Sequence, residues 1–262
     1  MIPQAAITHW RNIAPWPQDA QVEQDLILCR GLVEIFQDAA LSEALLLRGG
    51  TAIHKLLVSS PHRYSEDIDL VQVTAGPIGP ILDAVRSRLD PFLGTPRREN
   101  KIENVTLRYR MDSEIPPVVP LRLKIEINTR EHFSVFDTVR RPFSVRSPWF
   151  EGRAEVRTYA LDELLATKLR ALYQRRKGRD LFDLWIGLGM KGADPVRITD
   201  AFRKYMGAGG DKVSRREFEM NLAAKAALRR FNDDLRPLLA PAIRYDAGEA
   251  AHMITEKLLS KL

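Results

Sequence analysis

Leu45-Leu46-Leu47-Arg48-Gly49-Gly50-Thr51-Ala52 and, after sixteen residues between Gly50 and Asp67, Asp67-Ile68-Asp69-Leu70 are the two pieces of sequence on which the fold turns. Three leucines in a row that stop at two glycines suit a buried strand entering a tight turn. Thr51 to Val58 then reads as a short helix, and Asp67 to Val73 alternates as a second strand. Paired glycines permit positive φ and let a ligand come close to the backbone. The start of the following helix offers free N–H groups to an anion, and Thr51 adds a hydroxyl. A plain strand-to-helix turn would look the same. On the second strand successive side chains alternate, so Asp67 and Asp69 share a face. Two neighbouring carboxylates repel unless a cation stands between them. Hard oxygen ligands of this kind suit Mg²⁺, which is commonly held by one or two carboxylates together with substrate phosphates. A solvated strand end is the other reading of the same pair.

On the N-terminal side, Val22, Leu26, Cys29, Val33 and Phe36 fall at helical spacing, predicting a helix to about Ala39. Cys29 lies on that stripe and is expected to pack in the core. Residues 1–20, with Trp10, Pro15, Trp16 and Pro17, read as a loosely structured lead-in. On the C-terminal side, Ile81 to Leu89 predicts a helix and Asn104 to Met111 a strand. In Leu121 to Asn128 the residues Leu121, Leu123, Ile125 and Ile127 face one way and Arg122, Lys124, Glu126 and Asn128 the other. Pro142 to Pro148 is irregular with strand character. After Tyr159 the pattern turns helical, over Leu161 to Tyr173, Asp180 to Leu188 and amphipathic segments up to Leu262. The expected organisation is therefore an α/β (α+β) domain over 1–155 and a helical C-terminal domain over 156–262.

Composition excludes several classes. With 45% hydrophobic and 28% charged residues in 262, the chain is an ordinary folded one and not disordered throughout. A single cysteine rules out an internal disulfide and a CxxC site. No apolar run is long enough to cross a bilayer, and no charged start followed by an apolar stretch marks a signal peptide. A cytoplasmic protein with no membrane partner is the expectation. Forty Lys and Arg against 34 Asp and Glu give +6, compatible with a polyanionic partner.

Glu126 is a further carboxylate on a polar strand face. If its strand neighbours that of Asp67 and Asp69, three carboxylates come together, the arrangement of two-metal phosphoryl and nucleotidyl transfer. A solvent-facing Glu on a half-buried strand is the alternative. In the helical half, Leu161, Leu164, Leu165, Leu169 and Leu172 form an apolar stripe. Lys168 is flanked by core positions, so its stem can lie along the core while the ammonium reaches outward. Arg175, Arg176, Lys177 and Arg179 crowd around Gly178, either as a phosphate-binding cluster or as a solvated basic turn between helices. Asp180 can act as a plain N-cap of the next helix.

Together these features resemble the DNA polymerase β-like nucleotidyltransferase superfamily, and more closely the AbiEii/AbiGii nucleotidyltransferase toxin family that includes the MenT toxins. The likeness is carried by Gly49-Gly50-Thr51-Ala52 with Lys55, by Arg63, Ser65, Asp67 and Asp69, and by two later blocks. These are Glu163-Leu164-Leu165-Ala166-Thr167-Lys168-Leu169-Arg170 and Arg175-Arg176-Lys177-Gly178-Arg179-Asp180-Leu181-Phe182-Asp183-Leu184. The long gap from Gly50 to Asp67 fits the toxin family better than the wider superfamily. Glu126 departs from the Asp more usual at the third carboxylate.

The resemblance implies a mixed-sheet nucleotidyltransferase domain and a helical domain that contributes basic residues to the cleft. It implies Asp67, Asp69 and Glu126 as metal ligands and, with Lys168 and Asp180, as the catalytic set. Gly49, Gly50, Thr51, Lys55, Arg63, Ser65, Arg175, Arg179 and Asp183 become the nucleotide-binding set. The cofactor would be Mg²⁺, with Mn²⁺ as a substitute, the substrate an NTP, and the acceptor the 3′ end of tRNA. A cognate antitoxin would be the partner, in an abortive-infection (phage-defence) setting. An antibiotic-type transferase with a small-molecule acceptor, and a non-catalytic nucleotide- or RNA-binding protein of the same fold, stay open beside it.

Overall fold

The structure is a computed structural model that describes residues 2–262; Met1 lies outside it. It divides into two compact units. One takes the chain up to Phe133 together with Thr138–Thr158, the other Ser134–Asp137 with Tyr159–Leu262.

The first unit is built on a seven-stranded mixed sheet. Its strands are β1 (Leu45–Arg48), β2 (Asp67–Gln72), β3 (Arg97–Asn100), β4 (Asn104–Asp112), β5 (Pro120–Asn128), β6 (Val139–Arg146) and β7 (Glu151–Thr158), in the order β3-β4-β5-β2-β1-β7-β6. Strands β2 and β5 run parallel, as do β1 and β7, and the other pairs are antiparallel. Leu45, Leu46 and Leu47 are all buried, as a central strand covered on both faces requires. β5 keeps the expected alternation, with Leu121, Leu123, Ile125 and Ile127 in the core and Lys124 and Glu126 on the other face.

Helices α1 (Gln4–Arg11), α2 (Asp19–Gln37), α3 (Ala39–Ala44), α4 (Gly49–Leu56) and α5 (Gly79–Leu93) complete this unit. α2 buries the whole predicted stripe from Val22 to Phe36 and packs on β2, β5, β6 and β7. Its start is closed by reciprocal hydrogen bonds between Gln18 and Gln21.

Two local expectations are corrected, and one strand has no signal in the sequence. The lead-in is a helix, α1, whose Ala6, Ile7 and Trp10 are buried, followed by a buried Trp16. Trp10 Nε1 donates to Asp25 Oδ2 on α2 at 2.9 Å, a tertiary anchor invisible to local spacing. The irregular stretch around Pro142 is strand β6. It lies at the sheet's edge, where a missing N–H does no harm. At the other edge β3, Arg-Arg-Glu-Asn, has no apolar alternation to announce it. Its charged residues suit an exposed border.

The second unit holds α6 (Leu161–Gln174), α7 (Gly178–Leu188), α8 (Pro195–Ala208), α9 (Arg215–Ala226), α10 (Arg229–Asp233) and α11 (Ala247–Lys257). Leu164, Leu165, Leu169 and Leu172 of α6 are fully buried. Asp194 caps α8 and Ser214 with Glu217 forms a capping box on α9. Fully buried Glu163 accepts from the Val135 and Phe136 backbone N–H groups at 2.7 and 2.9 Å and from the Tyr205 hydroxyl at 2.6 Å. It thereby ties residues 134–137 into this unit. Among the described residues no helix is long and apolar enough to cross a membrane.

Asp25 is the polar knot of the first unit. It is fully buried, accepts from Trp10 and pairs with Lys55 at 2.5 Å. Asp25→Ala would leave the Lys55 ammonium buried without its counter-charge and free α1 from α2. The expected loss in denaturant unfolding is about 3 kcal/mol. A loss under about 1 kcal/mol would show that this knot does not hold the helices.

Candidate functional site

The site of the first unit begins where β1 turns into α4. Gly49 has φ +78°, a conformation that L side chains rarely adopt, and a Cβ there would stand 2.6 Å from Asp69 Oδ2. At Gly50 a Cβ would collide with Arg63 Nη2 and lie 3.4 Å from Ser65 Oγ. The two glycines thus bring the helix start against the carboxylate strand and the segment before it. The helix begins at Gly49, two residues earlier than its apolar pattern predicts.

Thr51 joins these parts. Its hydroxyl donates to the backbone carbonyl of Asp67 at 2.5 Å, and 2.8 Å separates Thr51 Oγ1 from Ser65 Oγ. Thr51 carries one proton, so Ser65 is the donor in the second contact. Both hydroxyls therefore place Asp67. Arg63 is buried and donates to the Tyr64 carbonyl at 2.9 Å. Arg48, the register partner of Asp69, pairs with Glu131 at 2.6 Å.

The parallel register of β2 and β5 decides the rest. Asp67 lies opposite Lys124 and Asp69 opposite Glu126, so Asp67, Asp69, Lys124 and Glu126 share one face. Lys124 Nζ is 2.9 Å from Asp67 Oδ2 and 3.5 Å from Glu126 Oε2. Asn104 Nδ2 on β4 donates to Glu126 Oε1 at 3.3 Å. Burial pushes the Asp67 carboxyl up to about 6; Lys124 opposes the rise and Asp69 adds to it. Burial works against the charge on Lys124, but Asp67, Asp69 and Glu126 more than restore it, and its pKa rises.

Glu126 is thus brought beside the Asp pair, but the three carboxylates do not close into a three-ligand metal site. Among the described residues no three His, Cys, Asp or Glu side chains do so. The Lys124 ammonium stands against two of the three. The donor set still fits a divalent cation. Asp67 and Asp69 are two adjacent, half-buried carboxylates beside a helix start, the number Mg²⁺ takes when phosphates supply further ligands.

Lys55 is directed elsewhere. Its ammonium rests on Asp25 and lines a separate cavity of about 220 Å³ with Trp10, Trp16, His54 and Phe143, which none of the three carboxylates lines. Cys29 is buried and its Sγ lies 3.7 Å from Asp25 Oδ2; burial pushes the thiol up, so it packs rather than reacts.

In the second unit, Lys168, Asp180 and Asp183 are all buried. Lys168 Nζ is 2.7 Å from Asp183 Oδ2 and 3.2 Å from Asp180 Oδ1. Arg175 grips Asp180 with two bonds, at 2.7 and 2.8 Å. Burial alone would raise Asp180, yet Lys168 and Arg175 bring it below its ordinary value. Arg179 and Lys177 turn to Asp234, at 3.8 and 3.0 Å.

Sequence alone does not single out Lys124 and Asn104. A signal existed: Lys-x-Glu and Asp-x-Asp are complementary once the two strands are set in parallel register, and only the pairing shows that register.

Comparison with solved structures places the first and second units in the nucleotidyltransferase toxin fold. MenT4, a nucleotidyltransferase toxin from Mycobacterium tuberculosis H37Rv, matches with a TM-score of 0.68 at 17% identity, over 98% of this chain and 90% of that one. A candidate nucleotidyltransferase from H. pylori matches with a TM-score of 0.55 at 17% identity, over 93% and 98% of the two chains. JHP933 from Helicobacter pylori matches with a TM-score of 0.51 at 15% identity, over 93% and 95%. No curated protein matches in sequence. The family profile described as nucleotidyl transferase AbiEii toxin, type IV TA system, matches residues 30–251, and the chain belongs to that family.

The raised Asp67 sets a pH signature. A carboxylate whose folded pKa exceeds its unfolded one stabilises the fold below the unfolded value and loses that contribution as pH rises through the folded value. Here the window runs from about 4 up to about 6. In chelator-treated protein, the stability gained by Asp67→Asn should be largest at pH 7 and shrink towards pH 4. A pH-independent difference in thermal unfolding would remove the assigned shift.

Proposed function

We propose that this toxin transfers a nucleoside monophosphate from an NTP to the 3′ hydroxyl of tRNA, with Mg²⁺ held by Asp67 and Asp69. The observation that carries the reading is the Asp67–Asp69 pair set against the start of α4, with Glu126 one strand away. The first N–H groups of α4, which have no partner within the helix, suit the β- and γ-phosphates. Bound there, a divalent cation would polarise the α-phosphate and draw off charge as pyrophosphate leaves. The acceptor oxygen forms a new bond to the α-phosphorus in line with the breaking bond to the β-phosphate oxygen. Glu126, on the same face, is suited to take the proton of that hydroxyl at a carboxylate oxygen.

The net charge of +6 supports a polyanionic acceptor such as tRNA. Mn²⁺ is expected to substitute for Mg²⁺, since both take oxygen ligands. In the second unit Lys168 and Arg175 pair with Asp180, and Lys168 with Asp183, so the first role of these residues in this reading is to join α6 to α7. The type IV toxin–antitoxin family supports a cognate antitoxin as partner, and in this reading the protein acts in the cytoplasm, where tRNA and NTPs meet.

Incubating the protein with total tRNA, Mg²⁺ and each α-³²P-labelled NTP in turn should label tRNA from one or two of the four. Asp69→Asn should lower that rate about 10³-fold or more, near 4 kcal/mol of barrier. Transfer to a small hydroxyl compound with no labelled tRNA would select the antibiotic-type reading. Unchanged labelling in Asp69→Asn would overturn the carboxylate mechanism.

A further inference from the structure

The cation already present among the carboxylates is Lys124. It stands opposite Asp67 in the strand register, 2.9 Å from Asp67 Oδ2 and 3.5 Å from Glu126 Oε2. Its side chain is about three-quarters buried, so solvent screens it little. We propose that Lys124 is a resident counter-cation that holds the carboxylates together without metal and competes with a divalent ion for the Asp67 oxygens. The inference rests on the reading of Asp67 and Asp69 as metal ligands, and goes beyond it by assigning Lys124 a positioning role and a direction of effect.

The electrostatics fix the sign. Three carboxylates carry −3 and Lys124 lowers that to −2. A divalent ion approaching Asp67 meets a like charge within a few ångströms and competes with it for the Oδ2 oxygen. Removing the ammonium should strengthen metal binding, because the repulsion disappears and Asp67 Oδ2 is left without its partner. A side chain that only organises the site would act oppositely, since its loss would disorder the ligands and weaken binding. Glu126 would stay tied to Asn104 in either case. The arrangement also gives nucleotide-free protein low affinity for stray divalent ions, favouring metal that arrives with phosphate ligands of its own.

The test is Mn²⁺ alone, titrated into nucleotide-free full-length protein and followed by the electron paramagnetic resonance of free Mn²⁺, so that no activity is read. Lys124→Met should bind Mn²⁺ about tenfold more tightly than wild type, or better. Lys124→Arg, which keeps the charge, should stay within about threefold of wild type. Lys124→Gln takes the place of the Met variant if the latter does not fold. Asp69→Asn, combined with each, separates the two layers. If binding to wild type and Lys124→Met alike ignores Asp69→Asn, the metal-ligand reading itself fails. If binding depends on Asp69 but is unchanged or weaker in folded Lys124→Met and Lys124→Gln, the counter-cation role is overturned and the ligand reading stands.

Discussion

Like charges held on one sheet face are the constraint around which the first unit is organised. Asp67 and Asp69 lie two residues apart on a central strand, and the parallel register of β5 adds Glu126 directly opposite Asp69. In water such a cluster would spread; in a half-buried sheet it cannot, because the strand fixes its spacing. Most of the polar detail nearby answers that problem. Gly49 leaves room for the Asp69 carboxylate, Thr51 and Ser65 pin the backbone of Asp67, Asn104 steadies Glu126, and Lys124 supplies the missing positive charge.

The basic residues of the second unit illustrate how the same sequence feature divides once folded. Four cations around Gly178 read as one patch along the chain. In the fold Arg175 joins Lys168 on Asp180, Lys168 also reaches Asp183, and Lys177 and Arg179 pair with Asp234. The difference follows from helix geometry. Arg175 closes α6 and points back to the first turn of α7, where Asp180 is buried and needs charge-assisted partners. A buried acid with two cationic partners is rigid, so the family's second motif appears here as a locked joint between two helices.

Legibility varied for physical reasons. α2, β1, β2 and β5 announced themselves because each buries a periodic face, and burial imposes the period. α1 did not, since three buried residues in eight are too few for a pattern and its anchor is a hydrogen bond to a residue fifteen positions away. β3 has no apolar face at all, and β6 carries a proline tolerated only because it is an edge. The family resemblance implies Lys55 as a nucleotide ligand, but its ammonium pairs with Asp25. A helix only two turns long still turns its residues to different neighbours.

Sequence alone determined the chemistry available: paired glycines before a helix, Asp-x-Asp on a strand, Glu126 on the polar face of another, and Lys168 flanked by core positions of a helix. These are local facts, set by the alternation of a strand and the pitch of a helix. Only the tertiary structure decided which of them meet. The parallel pairing of β2 with β5 places Lys124 between two carboxylates, and the ion pair with buried Asp25 on α2 takes Lys55 away. Register and packing are settled by the burial of side chains far apart along the chain, and no local spacing encodes the partner.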